Sequence, residues 1–149
     1  MENTAAISNA EPLMRALATV FTDDEAEIDE AVVVRLAETL RPISSPDVVM
    51  EMQGSDDSFV GVYEGLDGIR AGWADWLESF ERVRLVFEGF EEHGDNVITY
   101  VQQTGITRHG GVEVEQPSAA VWKFRDGALR KVEFHLDREK ALASARDPI

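Results

Sequence analysis

The chain has no cysteine among its 149 residues. Disulfides, thiolate metal sites and cysteine nucleophiles are therefore excluded. Its longest apolar runs span only a few residues, whereas a membrane-spanning helix needs about 20. The first residues, Met1 to Thr4, lack the basic start and apolar stretch of a secretory signal peptide. We therefore expect a cytoplasmic protein that has no membrane partner.

Basic residues are also scarce. The 14 lysines and arginines stand against 29 aspartates and glutamates, which gives a formal net charge of −15. Such a polyanion repels phosphate backbones and acidic lipids, and nucleic-acid binding draws on clustered basic side chains. No such cluster interrupts the chain, so nucleic acid is not an expected partner. The acidity favours solubility, and a salt-rich habitat is also compatible with it.

The first half of the chain carries helical patterns. Its length and a hydrophobic content of 44% predict one domain over residues 1–149, with a polar, flexible segment at 1–9. Apolar residues at helical spacing predict three helices. The first follows Asn9, the second opens with a capping box at residues 22–25, and the third follows Asp67.

From Val48 onwards the apolar pattern changes. A short strand at 48–53 and a second one ending at Tyr63 flank a predicted turn at 54–58, and after the third helix the two-residue period of strands continues from Val83. Turns are expected at residues 94–96, 109–111 and 126–127, a bulge at Gly89 and a short final helix after residue 137. Helices followed by consecutive antiparallel strands indicate an α+β fold. A curved antiparallel sheet wrapped around three N-terminal-half helices would leave an apolar pocket between the two layers.

Four segments, taken in order, carry a family resemblance. They are Y-E-G-L-D-G-I at 63–69, G-D-N-V at 94–97, W-K-F-R-D-G at 122–127 and D-R-E-K-A-L at 137–142. Together they resemble SnoaL-like proteins of the nuclear transport factor 2-like superfamily, over about residues 46–145. The resemblance implies a conical pocket and a homodimer. The superfamily includes ketosteroid isomerases, polyketide cyclases, dehydratases and epoxide hydrolases, beside members with no known activity.

The catalytic groups of the ketosteroid isomerase branch do not carry over. That branch uses a strand aspartate as the base, with a helix tyrosine and a protonated aspartic acid as the oxyanion hole. The resemblance places the base at Met52, the acid at Ala120 and the tyrosine near Ala16 or Leu17. None of these side chains can perform those roles. Isomerisation by that mechanism is therefore not expected, and the catalytic residues stay unassigned.

Histidine chemistry and metal binding have little support. The dehydratase branch pairs histidines with a carboxylate, but His93 and His109 lie near turns. If Phe134 faces inward, the two-residue period turns Glu133 and His135 outward. These two are then surface or dimer-interface residues, the alternative being a catalytic role. No histidine or acidic pair shows ligand spacing on one element, so neither a metal nor a cofactor is expected.

A set of inward-facing side chains defines the predicted ligand site. The resemblance places Trp73 toward the cavity with Met52 across from it, and Phe134 is placed inward on the last strand. The two-residue period places Gln116 and Ser118 on the same face of the preceding strand as Ala120. If Ala120 faces the cavity, these two polar side chains also point inward. The tryptophans fit core packing equally well. The predicted ligand-binding residues are Trp73, Trp122, Met52, Gln116, Ser118 and Phe134.

These patterns favour a small-molecule pocket protein of the SnoaL-like class that binds an apolar metabolite. A reaction in the pocket would be an isomerisation, cyclisation, dehydration or hydrolysis without a cofactor. The alternatives are a non-catalytic binding or interaction module and a structural protein whose own tryptophans fill the cavity. The predicted homodimer uses the outer face of the sheet, around Val121, Glu133 and His135.

Overall fold

A computed structural model describes residues 8–21, 25–53 and 59–148. Residues 1–7 of the predicted flexible segment 1–9, and the predicted turn at 54–58, lie outside these ranges. The elements, in chain order, are α1 (Ala10–Val20), β1 (Glu25–Ile28), α2 (Glu30–Leu40), a 3-10 turn (Arg41–Ile43), β2 (Ser44–Gln53), β3 (Phe59–Glu64), α3 (Gly65–Leu77), β4 (Phe80–His93), β5 (Asn96–Thr107), β6 (Glu113–Arg125), β7 (Ala128–His135) and α4 (Arg138–Ala145).

Seven strands form one open, curved sheet in the order β1-β4-β5-β6-β7-β2-β3. All neighbours are antiparallel except β2 and β7, which run parallel. Asp126 and Gly127 join β6 to β7 with φ values of 55° and 80°, the left-handed geometry of a tight hairpin turn. The register of β4 shifts between Phe87 and Gly89, which is the predicted bulge. The predicted α+β class with a mostly antiparallel curved sheet is confirmed.

The prediction for the second helix was wrong at its N-terminal end. Residues 25–28 form strand β1, which pairs antiparallel with β4, and the helix starts only at Glu30. Its cap is Asp29, whose Oδ1 accepts a hydrogen bond from the Val32 amide at 2.9 Å. The sequence of β1 alternates acidic and apolar residues, which suits an edge strand. The free edge of β4 therefore supplies hydrogen-bond partners that no local pattern reveals.

Helices α1, α2 and α3 pack on the concave face of the sheet and build the main core. Its fully buried side chains include Leu13, Leu40, Met50, Ile69 and Leu129. Because the helices cover the sheet at one end and the sheet curves away, a cavity is left between the two layers. None of the helices in the described ranges is long and apolar enough to cross a membrane.

Helix α4 covers the outer, convex face of the sheet. Ala141 and Ala145 pack against a second small core on β5 and β6, formed by Ile98, Ala119 and Val121. Asp137 caps the helix by accepting hydrogen bonds from the amides of residues 139 and 140. The small alanine side chains let the helix approach the strands closely.

This packing corrects the predicted dimer face. Val121 is fully buried, and Glu133 and His135 are only 4% and 6% exposed. The two-residue period did turn Glu133 and His135 outward, but α4 of the same chain covers that side. They are therefore neither surface residues nor available for a contact with a second copy.

Candidate functional site

An apolar cavity of about 160 Å³ lies between α2, α3 and the concave face of the sheet. Each element contributes side chains at its own period: i, i+1 and i+4 along α2, every second residue along β5, and Phe134 at the end of β7 with Leu136 just after it. The lining residues are Phe21, Ile28, Val32, Val33, Leu36, Met52, Trp73, Trp76, Leu85, Val101, Gln103, Phe134 and Leu136.

Phe134 on β7 anchors the aromatic part of the wall. Its ring lies edge-on to the Trp73 indole, with centroids 5.9 Å apart and planes at 79°. On the other side it meets Trp122 at 6.4 Å and 71°. Edge-to-face contacts of this kind hold the rings in fixed orientations. The cavity wall on the sheet side is therefore pre-formed.

The structure divides the six predicted ligand-binding residues into two groups. Met52, Trp73 and Phe134 line the cavity. Trp122 is buried behind Phe134, where its Nε1 donates a hydrogen bond to Thr99 Oγ1 at 3.0 Å. Ser118 is also buried behind the wall.

Gln116 lies outside this cavity, at a neighbouring depression. Its Nε2 donates to the backbone oxygens of Pro117 and Leu136, at 2.8 and 3.0 Å. These bonds tie the start of β6 to the end of β7. They leave Gln116 away from the main cavity.

The lining residue that sequence reasoning missed is Gln103 on β5. Its Nε2 donates a hydrogen bond to Ser118 Oγ on β6 at 2.8 Å. The residue shares its strand face with Thr99 and Val101, so the two-residue period was visible in the sequence. What the sequence did not show is that this part of β5 forms part of the cavity wall.

Within the described residues, the cavity wall contains no carboxylate, histidine or lysine. The position expected for the isomerase base is occupied by Met52, and Ala120 is buried in the core. Gln103 contributes the one amide, and the tryptophan indoles contribute N–H groups. Such a wall can bind and orient an apolar molecule, but it offers no group with a pKa suited to proton abstraction.

A second cavity, also of about 160 Å³, adjoins the first. Trp76, Gln103 and Leu136 line both and form the partition between them. The outer wall of the second cavity includes Phe80 and Val114, and Val114 is 40% exposed. We call the first the inner cavity and the second the outer cavity.

Among the described residues, the ionisable group with the largest pKa shift lies on the opposite side of the sheet. Burial alone would raise the pKa of Glu133. Hydrogen bonds from His135 and Ser144, together with the charges of Lys123 and Lys131, outweigh it and lower that pKa to about 2. Ser144 belongs to α4, so this cluster joins β7 to that helix, and none of its members lines the inner cavity.

Comparison with known proteins agrees with this architecture. No curated protein matches the chain. Among solved structures, a candidate SnoaL-like polyketide cyclase from Jannaschia sp. CCS1 is 18% identical, with all of both chains covered and a TM-score of 0.64. A protein of unknown function similar to nuclear transport factor 2, from Burkholderia pseudomallei K96243, is 19% identical over 92% of this chain and 97% of its own, with a TM-score of 0.60.

A third similar structure is TerC, crystallised with polyporic acid. It is 19% identical over 93% of this chain and 98% of its own, with a TM-score of 0.59. At these identities the likeness concerns the fold. The family model of the SnoaL-like domain matches residues 28–132, which include α2, α3 and most of the sheet. The chain therefore belongs to the SnoaL-like domain family.

Proposed function

We propose that the protein binds a small, largely apolar metabolite in the inner cavity. The observation that carries the proposal is an apolar cavity of about 160 Å³ that is walled by fixed aromatic rings. A cavity of about 150 Å³ lined by apolar side chains is known to stay dry and to accept benzene. The inner cavity therefore has room for one ring of a ligand.

Similar proteins support a small-molecule role. TerC was crystallised with polyporic acid, and the Jannaschia protein is described as a candidate polyketide cyclase. If this chain is an enzyme, its reaction is an isomerisation, cyclisation, dehydration or hydrolysis of the bound metabolite without a cofactor. The wall would accelerate it by holding the substrate in a reactive conformation and excluding water. A non-catalytic binding protein is the alternative use of the same cavity.

The direct test is binding of toluene, followed by NMR shifts of backbone amides and by tryptophan fluorescence. Val101→Phe would place a larger side chain into the inner cavity. The matched control Val112→Phe changes an exposed valine, which is 57% accessible. We expect saturable toluene binding in the wild type and in Val112→Phe, and loss of binding in Val101→Phe. Equal binding in all three proteins, or none in the wild type, would contradict the proposal.

The proposal also includes a homodimer, but its interface is not the buried region around Val121, Glu133 and His135. The net charge of −15 per chain opposes self-association at low salt. Salt screens such repulsion within about 10 Å at 0.1 M ionic strength. Sedimentation at micromolar protein should therefore show a dimer that tightens as salt rises from low to moderate concentration. A monomer at every salt concentration would exclude it.

A further inference from the structure

The partition between the inner and outer cavities has a polar atom without a partner. Gln103 belongs to both cavity walls, and its side-chain nitrogen is held by Ser118 at 2.8 Å. Its amide oxygen has no hydrogen-bond partner in the described part of the chain. The other described side chains of the inner cavity are apolar or aromatic, so a ligand that brings a donor to this oxygen gains a hydrogen bond there.

The hydrogen bond with Ser118 determines whether the nitrogen or the oxygen of the Gln103 amide faces the cavities. Its hydroxyl is directed at the backbone oxygen of Val101, 3.5 Å away, so the hydroxyl oxygen is left to accept a hydrogen bond. The group that donates to it is the Gln103 nitrogen. The Gln103 oxygen is thereby turned away from Ser118 and toward the cavities. Ser118, which is 2% exposed, acts as a positioning residue.

The side chains that separate the two cavities are not rigidly enclosed. Leu136 is 37% exposed, and the Trp76 indole is only partly buried beside Phe80, with ring centroids 5.8 Å apart. Small rotamer changes of these two residues would connect the cavities. Each cavity has the volume that accepts one six-membered ring.

We propose that the two cavities form one site for a neutral, two-ring ligand whose hydroxyl group donates to the Gln103 oxygen at the junction. The inference rests on the proposed function and specifies the ligand class. One ring would occupy the inner cavity against Trp73 and Phe134, and the other the outer cavity against Phe80 and Val114. A carboxylate in place of the hydroxyl is disfavoured, because it would be buried beside an oxygen acceptor with no cation among the described lining residues.

The test compares three probes that share the naphthalene ring system, namely 2-naphthol, naphthalene and 2-methoxynaphthalene. Affinities would be measured by fluorescence or calorimetry at neutral pH. A ligand without the donor leaves the Gln103 oxygen unpaired, so we expect 2-naphthol to bind at least about tenfold more tightly than the other two. 2-Naphthoate should bind more weakly than all three.

Variants separate the role of the amide from a general loss of structure. Gln103→Leu should remove the preference for 2-naphthol over 2-methoxynaphthalene while leaving naphthalene bound. Ser118→Ala should reduce the same preference, because the amide is then free to turn. The matched control is Gln102→Leu, since Gln102 is the adjacent glutamine and points to the opposite face of β5. It should leave the preference unchanged.

The extent of the site is tested by filling the outer cavity. Val114→Trp should weaken the binding of 2-naphthol and leave the binding of toluene in the inner cavity unaffected. Equal affinities for 2-naphthol and 2-methoxynaphthalene in the wild type would overturn the role of Gln103. Unchanged 2-naphthol affinity in Val114→Trp would overturn the two-cavity site. In both cases the proposed function would survive, whereas failure of every ring compound to bind would refute that function itself.

Discussion

Ser144 on α4 donates its hydroxyl to Glu133 on β7 at 2.6 Å, which joins the last helix to the outer face of the sheet. The same carboxylate lies 3.6 Å from Lys123 Nζ and 3.3 Å from Lys131 Nζ. The side chains of Lys123 and Glu133 are only 8% and 5% exposed. A buried charge that loses its partner is costly, so these residues depend on one another.

The first prediction concerns Glu133→Gln and pH. The pKa of Glu133 is lowered from 4.5 to about 2 in the folded protein. A carboxylate with a depressed pKa stabilises the fold above its unfolded value, and this stabilisation is lost as pH falls from about 4.5 toward 2. We expect Glu133→Gln to lower the free energy of unfolding by about 3 kcal/mol at pH 7 and by much less at pH 2.5.

Urea denaturation at the two pH values measures this difference. Glu115→Gln is the control, because Glu115 is an exposed carboxylate on β6. It should change stability by less than about 0.5 kcal/mol at either pH. If Glu133→Gln lowers the free energy of unfolding by the same amount at both pH values, the ionised carboxylate is not what stabilises α4.

The second prediction uses two glycines one turn apart in α3. A Cβ at Gly72 would lie 2.8 Å from ring atoms of Tyr63, whereas a Cβ at Gly68 would meet its nearest neighbour at 3.5 Å. Gly72→Ala should therefore destabilise the protein by about 1–3 kcal/mol through overpacking. Gly68→Ala should stabilise it by about 0.5–1 kcal/mol, since alanine has the higher helix propensity. Thermal denaturation of both variants tests the pair, and equal effects would contradict the close approach at Tyr63.

The third prediction separates the three tryptophans as reporters of binding. Trp73 and Trp76 line the inner cavity, while Trp122 lies behind Phe134. An aromatic ligand should therefore still change the fluorescence of Trp122→Phe. The change should be much smaller in the double variant Trp73→Phe/Trp76→Phe, with affinity checked separately by NMR. Loss of the response in Trp122→Phe alone would place the ligand elsewhere.

The fourth prediction is that the protein does not isomerise a ketosteroid by base catalysis. The family resemblance places Met52 and Ala120 where that mechanism requires carboxyl groups, and the described wall of the inner cavity carries none. Ultraviolet absorbance of the conjugated enone measures the reaction. Activity that persists in clean preparations and disappears in Val101→Phe would contradict the assignment of these positions.

The local sequence determined much of the fold. The two-residue period of β6 and β7 correctly separated inward from outward side chains, because alternation is a property of the extended backbone itself. The glycine at the β4 bulge, the Asp126–Gly127 turn and the Asp137 cap were equally visible, since each depends on a few adjacent residues. The same reasoning placed Phe134 inward, and the resemblance placed Trp73 beside it.

Long-range packing decided the rest. Residues 25–28 became a strand because β4 offers a free edge, and no pattern near them specifies that partner. Glu133 and His135 turn outward as the period requires, yet α4 buries them, and an eight-residue helix carries too little apolar pattern to show where it docks. Gln103 reaches the cavity because β5 lies between β4 and β6 in the middle of the sheet, where its concave face forms part of the cavity wall. Alternation tells which face of a strand a side chain occupies, but what lies against that face depends on contacts between residues far apart in the chain.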